Sequence, residues 1–188
     1  MRRLPYAILL GILGAGIVHV AVLLLLPLLS QRDAWTRFSA AAEPFAVTRI
    51  DAAAPDGPVI PALDPFFMVS ACRFDLSQGP LVVSAQGQAP FWSASVIGAN
   101  GAHLFSFNDQ AREEAALSFI VLTPAQMAGR EVVAPPEGAD GPVETPAIFA
   151  EVGVDQGMVV VRAFAPDDSF RADASVFLDS LNCAPEPE

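Results

Sequence analysis

Hydrophobic residues are distributed very unevenly along the chain. Leu4 to Leu29 is one continuous apolar run in which His19 is the single strongly polar side chain. As a helix these 26 residues would span about 39 Å at ~1.5 Å per residue, enough to cross a ~30 Å hydrocarbon core with some tilt. A cleaved leader would carry an apolar region of only about 7–15 residues with small residues just beyond it. Here the run ends in Leu28-Leu29-Ser30, and the small stretch Ser39-Ala40-Ala41-Ala42 lies past Arg32, Asp33 and Arg37. The pattern predicts an uncleaved transmembrane anchor over residues 1–30.

From Val59 onward the pattern changes to short apolar runs separated by turn residues. These runs are Phe66–Phe74, Leu81–Ala85, Phe91–Gly98, His103–Asn108, Leu117–Leu122, Ala147–Val154 and Met158–Phe164. Close spacing of this kind predicts a mainly β domain, sandwich- or jelly-roll-like. Asn100-Gly101 predicts a hairpin that pairs Gly98 with His103, Val96 with Phe105 and Ala94 with Phe107. Trp92, Ala94, Val96, Phe105 and Phe107 then share its apolar face. A second hairpin is expected between Ala147–Val154 and Met158–Phe164, with Gly157 in a left-handed turn position. A carboxy-terminal helix starts near Asp167-Asp168-Ser169 and repeats Phe170, Ala174, Phe177, Leu178 and Leu181 at helical spacing. Thr123-Pro124 predicts a shorter helix ending near Gly129. Gly138–Pro146 reads as a surface loop.

The expected organisation is therefore an anchor at 1–30, a tether at 31–58, a β-rich domain at 59–184 and a frayed tail at 185–188. Within the tether, Phe45–Ile50 is a candidate strand.

Composition narrows the function classes. The chain has ten basic residues, all arginine, against 21 acidic ones, a net charge of −11. Arg2 and Arg3 precede the apolar run, leaving eight arginines against 21 acids beyond it, a balance of −13. Such a surface repels phosphate backbones and excludes nucleic acid as an expected partner. The absence of lysine excludes Schiff-base chemistry and a lysine-bearing phosphate loop. A short tail before a first anchor usually stays inside, which exports everything after residue 30. The expected location is the inner (cytoplasmic) membrane, with the domain in the periplasm.

Candidate chemistry is sparse. Cys72 and Cys183 are the two cysteines, and an even, widely separated pair in an exported domain predicts a disulfide. Two free thiols, or a reactive thiol with a resolving partner, are the alternatives. His103 is the one histidine outside the anchor, and no nucleophile-elbow pattern surrounds a serine. One histidine and a paired cysteine couple argue against zinc, and no loop has the closely spaced oxygen ligands of a calcium site. No metal and no cofactor are expected. Asp167-Asp168 reads as a helix start and Glu113-Glu114 as a solvated face. Within the anchor, Ala7, Gly11 and Ala15 follow a small-xxx-small spacing with His19 four residues on, a candidate face for helix association.

One stretch carries a resemblance. Cys72-Arg73-Phe74-Asp75-Leu76-Ser77-Gln78-Gly79-Pro80-Leu81-Val82-Val83, with Phe91-Trp92-Ser93 and Phe107-Asn108-Asp109 further on, resembles the bacterial family of unknown function numbered 1254. The likeness covers roughly residues 60–184 and is nearest to that family's short, membrane-anchored proteobacterial branch. Longer members carry an Asn-x-Asp-Thr-Leu-Tyr run upstream, where this chain has Leu63-Asp64-Pro65-Phe66-Phe67. The resemblance implies a β-rich exported domain, often encoded beside a companion family, and no established reaction. Asp75–Pro80 also explains itself as a turn: carboxylate and hydroxyl accept backbone bonds, Gly79 supplies a flexible φ, and Pro80 opens a strand.

Two functional readings follow. In the first, the exported domain is an interaction or accessory module of the cell envelope, binding a companion protein. In the second, it is a periplasmic small-molecule-binding protein or hydrolase with a site near His103 and Trp92.

Overall fold

The computed structural model describes residues 3–51, 59–60, 64–87, 89–111, 117–130 and 148–186, leaving aside the side chains of 27–34. Ala52–Pro58, Glu113-Glu114 and the expected loop at Gly138–Pro146 lie outside the described residues.

Among the described residues, helix α1 (Arg3–Ala41) is followed by nine strands, β1 (Val47–Arg49), β2 (Phe67–Asp75), β3 (Leu81–Ala85), β4 (Trp92–Gly98), β5 (His103–Asn108), β6 (Leu117–Leu122), β7 (Ile148–Glu151), β8 (Gln156–Phe164) and β9 (Asn182–Pro185). Helix α2 (Pro124–Gly129) lies between β6 and β7, and α3 (Asp168–Asp179) between β8 and β9. The first sheet has the order β1-β2-β8-β4-β5 and is antiparallel throughout. The second has the order β7-β6-β3-β9, with β6 and β7 parallel. The chain is mainly β, with an apolar helix in front. Over Arg3–Leu26, α1 is long and apolar enough to cross a membrane.

Alternation explains most of the core. Trp92, Ala94 and Val96 of β4 and Leu81, Val83 and Ala85 of β3 all enter one cluster that lies between the two sheets. Helix α3 adds Ala174, Phe177 and Leu178, and Phe177 stacks on Trp92 with ring centroids 6.1 Å apart. Asp167 caps α3 by accepting from the Ser169 N–H at 2.8 Å. Thr123 and Gln126 form a reciprocal capping box on α2, whose first residue is Pro124.

Strands β2 and β8 depart from alternation because both of their faces are covered. Val69, Ala71, Met158 and Val160 form a second cluster on the outer face of the first sheet, with Phe38, Ala42, Ile50 and Ile97. The described part of the expected tether, residues 31–51, is therefore more than a tether. Helix α1 continues through Ala41, and its end lies on the sheet with Phe38 fully buried and Ala42 at 4% exposure. Arg73 reinforces the seam: its Nη1 donates to the Ser39 carbonyl at 3.4 Å and its guanidinium stands 5.7 Å from the Trp35 ring centroid.

The chain then reverses sharply into β1. Phe45 adopts φ +62°, an unusual conformation for a bulky residue. It is held there by its N–H, which donates to the Arg73 carbonyl at 2.8 Å, and by packing of its ring against the main core. Arg49 next binds Asp179 of α3 at 2.7 Å and lies 3.7 Å from the buried Asp51, whose carboxylate accepts from the Val69 N–H. Beginning the domain at residue 59 would leave out this whole layer.

Three further expectations change. Ala147–Val154 and Met158–Phe164 do not form a hairpin, since β7 belongs to the second sheet and β8 to the first. Gly157 accordingly occupies no left-handed turn. It is a close-approach glycine, where an added Cβ would lie 2.4 Å from the Ile97 carbonyl and 2.6 Å from Phe74 Cζ. The β4–β5 hairpin keeps Ala94 opposite Phe107 and Val96 opposite Phe105, but a bulge then pairs His103 with Ile97 instead of Gly98. The turn is a three-residue one, with Gly101 N–H donating to the Gly98 carbonyl at 2.7 Å and Gly101 at φ +79°. Finally, the described part of the tail is not frayed. Pro185 closes β9, and Glu186 forms a two-pronged ion pair with Arg130, both contacts at 2.7 Å.

Replacing Gly157 with alanine forces backbone and Phe74 apart near one end of β8, the central strand of the first sheet. The expected cost is about 1–3 kcal/mol, read as a lower denaturant midpoint. An unchanged midpoint would show that the β4–β8 contact yields freely.

Candidate functional site

Cys72 lies on β2 facing the main core, and Cys183 lies on β9 of the other sheet. Their sulfurs form a disulfide between elements 111 residues apart in sequence. The bridge joins sheet to sheet, because the chain turns into β9 after α3 and places Cys183 on that strand. Both cysteines are buried, at 0% and 6% exposure, so neither sulfur is placed as an accessible redox centre.

The Asp75–Pro80 run is the corner at which the chain leaves the first sheet for the second. Leu76–Gln78 form one turn of 3-10 helix capped by Asp75. The Asp75 carboxylate accepts from the Ser77 N–H at 3.1 Å, the Ser77 hydroxyl at 2.6 Å and Gln156 Nε2 at 3.1 Å. The Ser77 hydroxyl, above all, holds the Asp75 pKa below the ordinary carboxylate range. Leu76 donates its N–H to the Asp155 carbonyl at 2.7 Å, while its own carbonyl accepts from Gln126 Nε2 at 2.8 Å. Gly79, at φ +124°, completes the turn, and the Pro80 carbonyl accepts from the Glu186 N–H at 2.8 Å. These contacts all run within the chain, the pattern of a local turn.

His103 and Trp92 do not converge. Trp92 is 1% exposed, edge-on to Phe107 and stacked on Phe177. His103 is exposed at the tip of the hairpin, opposite Ile97, five residues along β4 from Trp92. At about 3.3–3.4 Å per residue the separation is roughly 17 Å. Asp109 follows the far end of β5, about 20 Å from His103 by the same measure, so it does not orient the imidazole. Among the described residues, no three His, Cys, Asp or Glu side chains gather as a metal would need.

On α1, Ala7, Gly11, Ala15 and His19 drift about 120° around the axis over three steps of four residues. A shallow apolar groove lies elsewhere on the same helix, over Gly16 between Ile12, Ile17, Val20 and Leu24. Gly16 stands about 140° around the helix from Gly11. Spacing by fours also links Ile12, Gly16, Val20 and Leu24, where large side chains outnumber the small Gly16 and Ala21.

Comparison with known proteins places the fold and no activity. No family model and no curated protein sequence matches the chain. Among solved structures, the VPA0106 protein from Vibrio parahaemolyticus is similar, with a TM-score of 0.54 and 14% identity over 83% of this chain. An uncharacterised protein from Burkholderia cenocepacia matches 74% of the chain at a TM-score of 0.45 and 11% identity. The chain spans about a third of the length of each, 35% and 36%.

Two measurements bear on these elements. Cys72→Ser with Cys183→Ser is expected to lower stability by about 2–5 kcal/mol relative to the oxidised protein, seen in denaturant melts. Equal midpoints would make the bridge incidental. Asp75→Ala is expected to cost about 0.5–2 kcal/mol at pH 7. Because the folded-state pKa lies below the unfolded one, the carboxylate's contribution is whole above about pH 4 and is lost as pH falls through the folded value. The gap between the two proteins should therefore shrink by pH 3. A constant gap would mean that the charge of Asp75 plays no part.

Proposed function

We propose that this is a single-pass inner-membrane protein whose sandwich-like exported domain binds a companion protein of the cell envelope and catalyses no reaction. Its amino terminus lies inside and its carboxy-terminal domain in the periplasm. The observation that carries this reading is the seam between α1 and the first sheet. A domain that shares a core with its own anchor is held at a set height and orientation, which suits a docking module more than a freely diffusing binder. Six residues separate Leu29 from Trp35, about 9 Å of helix, so the domain stands close against the headgroups. The balance of −13 beyond residue 3 favours a partner with basic or neutral surface. VPA0106 carries a similar fold within a chain more than twice as long, which fits a module that works alongside a second part. The Asp75–Pro80 corner keeps the kinship with family 1254 as the preferred evolutionary reading.

Tagged protein purified from detergent-solubilised native membranes, followed by mass spectrometry, tests the proposal. A stoichiometric companion is expected, retained by His103→Ala. Gly11→Ile with Ala15→Ile reports on one face of the anchor and Gly16→Ile on the other, so the variant that loses the companion identifies the face in use. Loss on removing the exported domain alone assigns binding to that domain. Recovery of the chain by itself, together with a phenotype abolished by His103→Ala, would overturn the reading in favour of a ligand site.

A further inference from the structure

The segment that ends α1 also carries, after the apolar run, the residue pattern of a processing site. Ala40-Ala41-Ala42 follows the apolar run and places small residues at the two positions that a leader-cleaving protease reads, the first and third before the cut. Sequence position alone argued against cleavage. The fold supplies a stronger barrier.

Proteases of this kind take their substrate as an extended strand. Here residues through Ala41 are helical, and the Ala42 N–H donates to the Phe38 carbonyl at 2.9 Å, continuing the helical bonding. Phe38 is fully buried and Ala42 is 4% exposed, both beneath the outer face of the first sheet. Extending residues 38–43 would pull Phe38 and Ala42 out of that cluster. It would also break the contact of Arg73 with the Ser39 carbonyl. Cleavage must therefore wait for local opening, and its rate follows the small population in which the seam is apart.

We propose that Ala42–Glu43 is a latent cleavage site, shielded by the docking of α1, for a membrane-bound protease that cuts after small residues. Correct folding keeps the domain anchored, and failure of the seam releases it. The step is hydrolysis: water adds across the Ala42–Glu43 amide, the C–N bond breaks, and Ala42 gains a carboxylate while Glu43 gains an amino group. The proposal rests on the exported-anchor reading above, since the protease must meet the segment on the outer side.

Intact-mass measurement of the chain recovered from membranes and from the soluble exported fraction tests it. The wild type is expected at full length. Phe38→Ala and Phe38→Asp open the seam and leave the small residues in place. They should give a chain beginning at Glu43 with the Cys72–Cys183 bridge intact, formed at least ten times faster than in the wild type, on the order of a hundredfold. Ala42→Tyr is too large for the seam and opens it as well, yet it removes the small residue before the cut, so its chain should stay intact at that bond. A wild-type chain already beginning at Glu43 would overturn both the shielding and the anchor reading. If neither Phe38 variant yields a chain beginning at Glu43, or if Ala42→Tyr is cut there equally fast, the latent site falls and the anchor reading stands.

Discussion

Strands β2 and β8 have no polar face. From Met68 to Cys72 and from Gly157 to Val161 every residue is buried, so the first sheet cannot present one side to water as an antiparallel sheet often does. Whatever else the molecule does, it must cover that sheet twice. The second sheet and α3 cover one side, and the end of α1 with Ile50 covers the other. Helix α1 and the sheets are one folding problem for this reason. A helix apolar and long enough to cross a membrane would normally be expected to fade into a flexible linker, but here its last turns bury a phenylalanine completely.

The same constraint explains which parts of the fold were legible in the sequence. Strands that alternate, such as β3 and β4, could be bounded within a residue or so, as could the caps at Thr123 and Asp167. Each is fixed by neighbours within a few positions. The second hairpin failed because periodicity says where strands lie and not which sheet they join. A short break between β7 and β8 looks the same whether the chain folds back or crosses from one sheet to the other. Gly157 was read as a turn residue for the same reason. Its role comes from Ile97 and Phe74, which are distant in sequence and meet it only across β4 and β2. Strand β9 was hidden in a stretch whose proline and acidic residues resembled a loose end.

The candidate site was less legible still. Trp92 and His103 stood out as an aromatic and a titratable group on one hairpin. Strand geometry separates them, because positions that alternate along a strand reach different surroundings and five residues cover most of its length. The Asp75–Pro80 run fared better, since an acid two residues before a serine, with Gly-Pro following, specifies a local turn. What could not be read was its purpose in the architecture: it delivers the chain from one sheet to the other and is locked from three sides by Asp155, Gln126 and Glu186.

Adjacent residues on β2 show how the two covers are joined. Ala71 faces outward into the cluster that holds Phe38 and Ala42, while Cys72 faces inward and is bridged to Cys183 on β9. The tie on the inner side is covalent and long-range in sequence, so it survives any local opening. The tie on the outer side is non-covalent, with Phe38 and Ala42 packed on the sheet and Arg73 reaching the Ser39 carbonyl and the Trp35 ring, and contacts of that kind yield first when a segment opens. The molecule therefore has a permanent face and a conditional one, one residue apart on the same strand. Loss of the conditional face leaves the two sheets joined through the disulfide and frees the end of α1 from the first sheet, so that small seam governs how rigidly α1 is held to the strands.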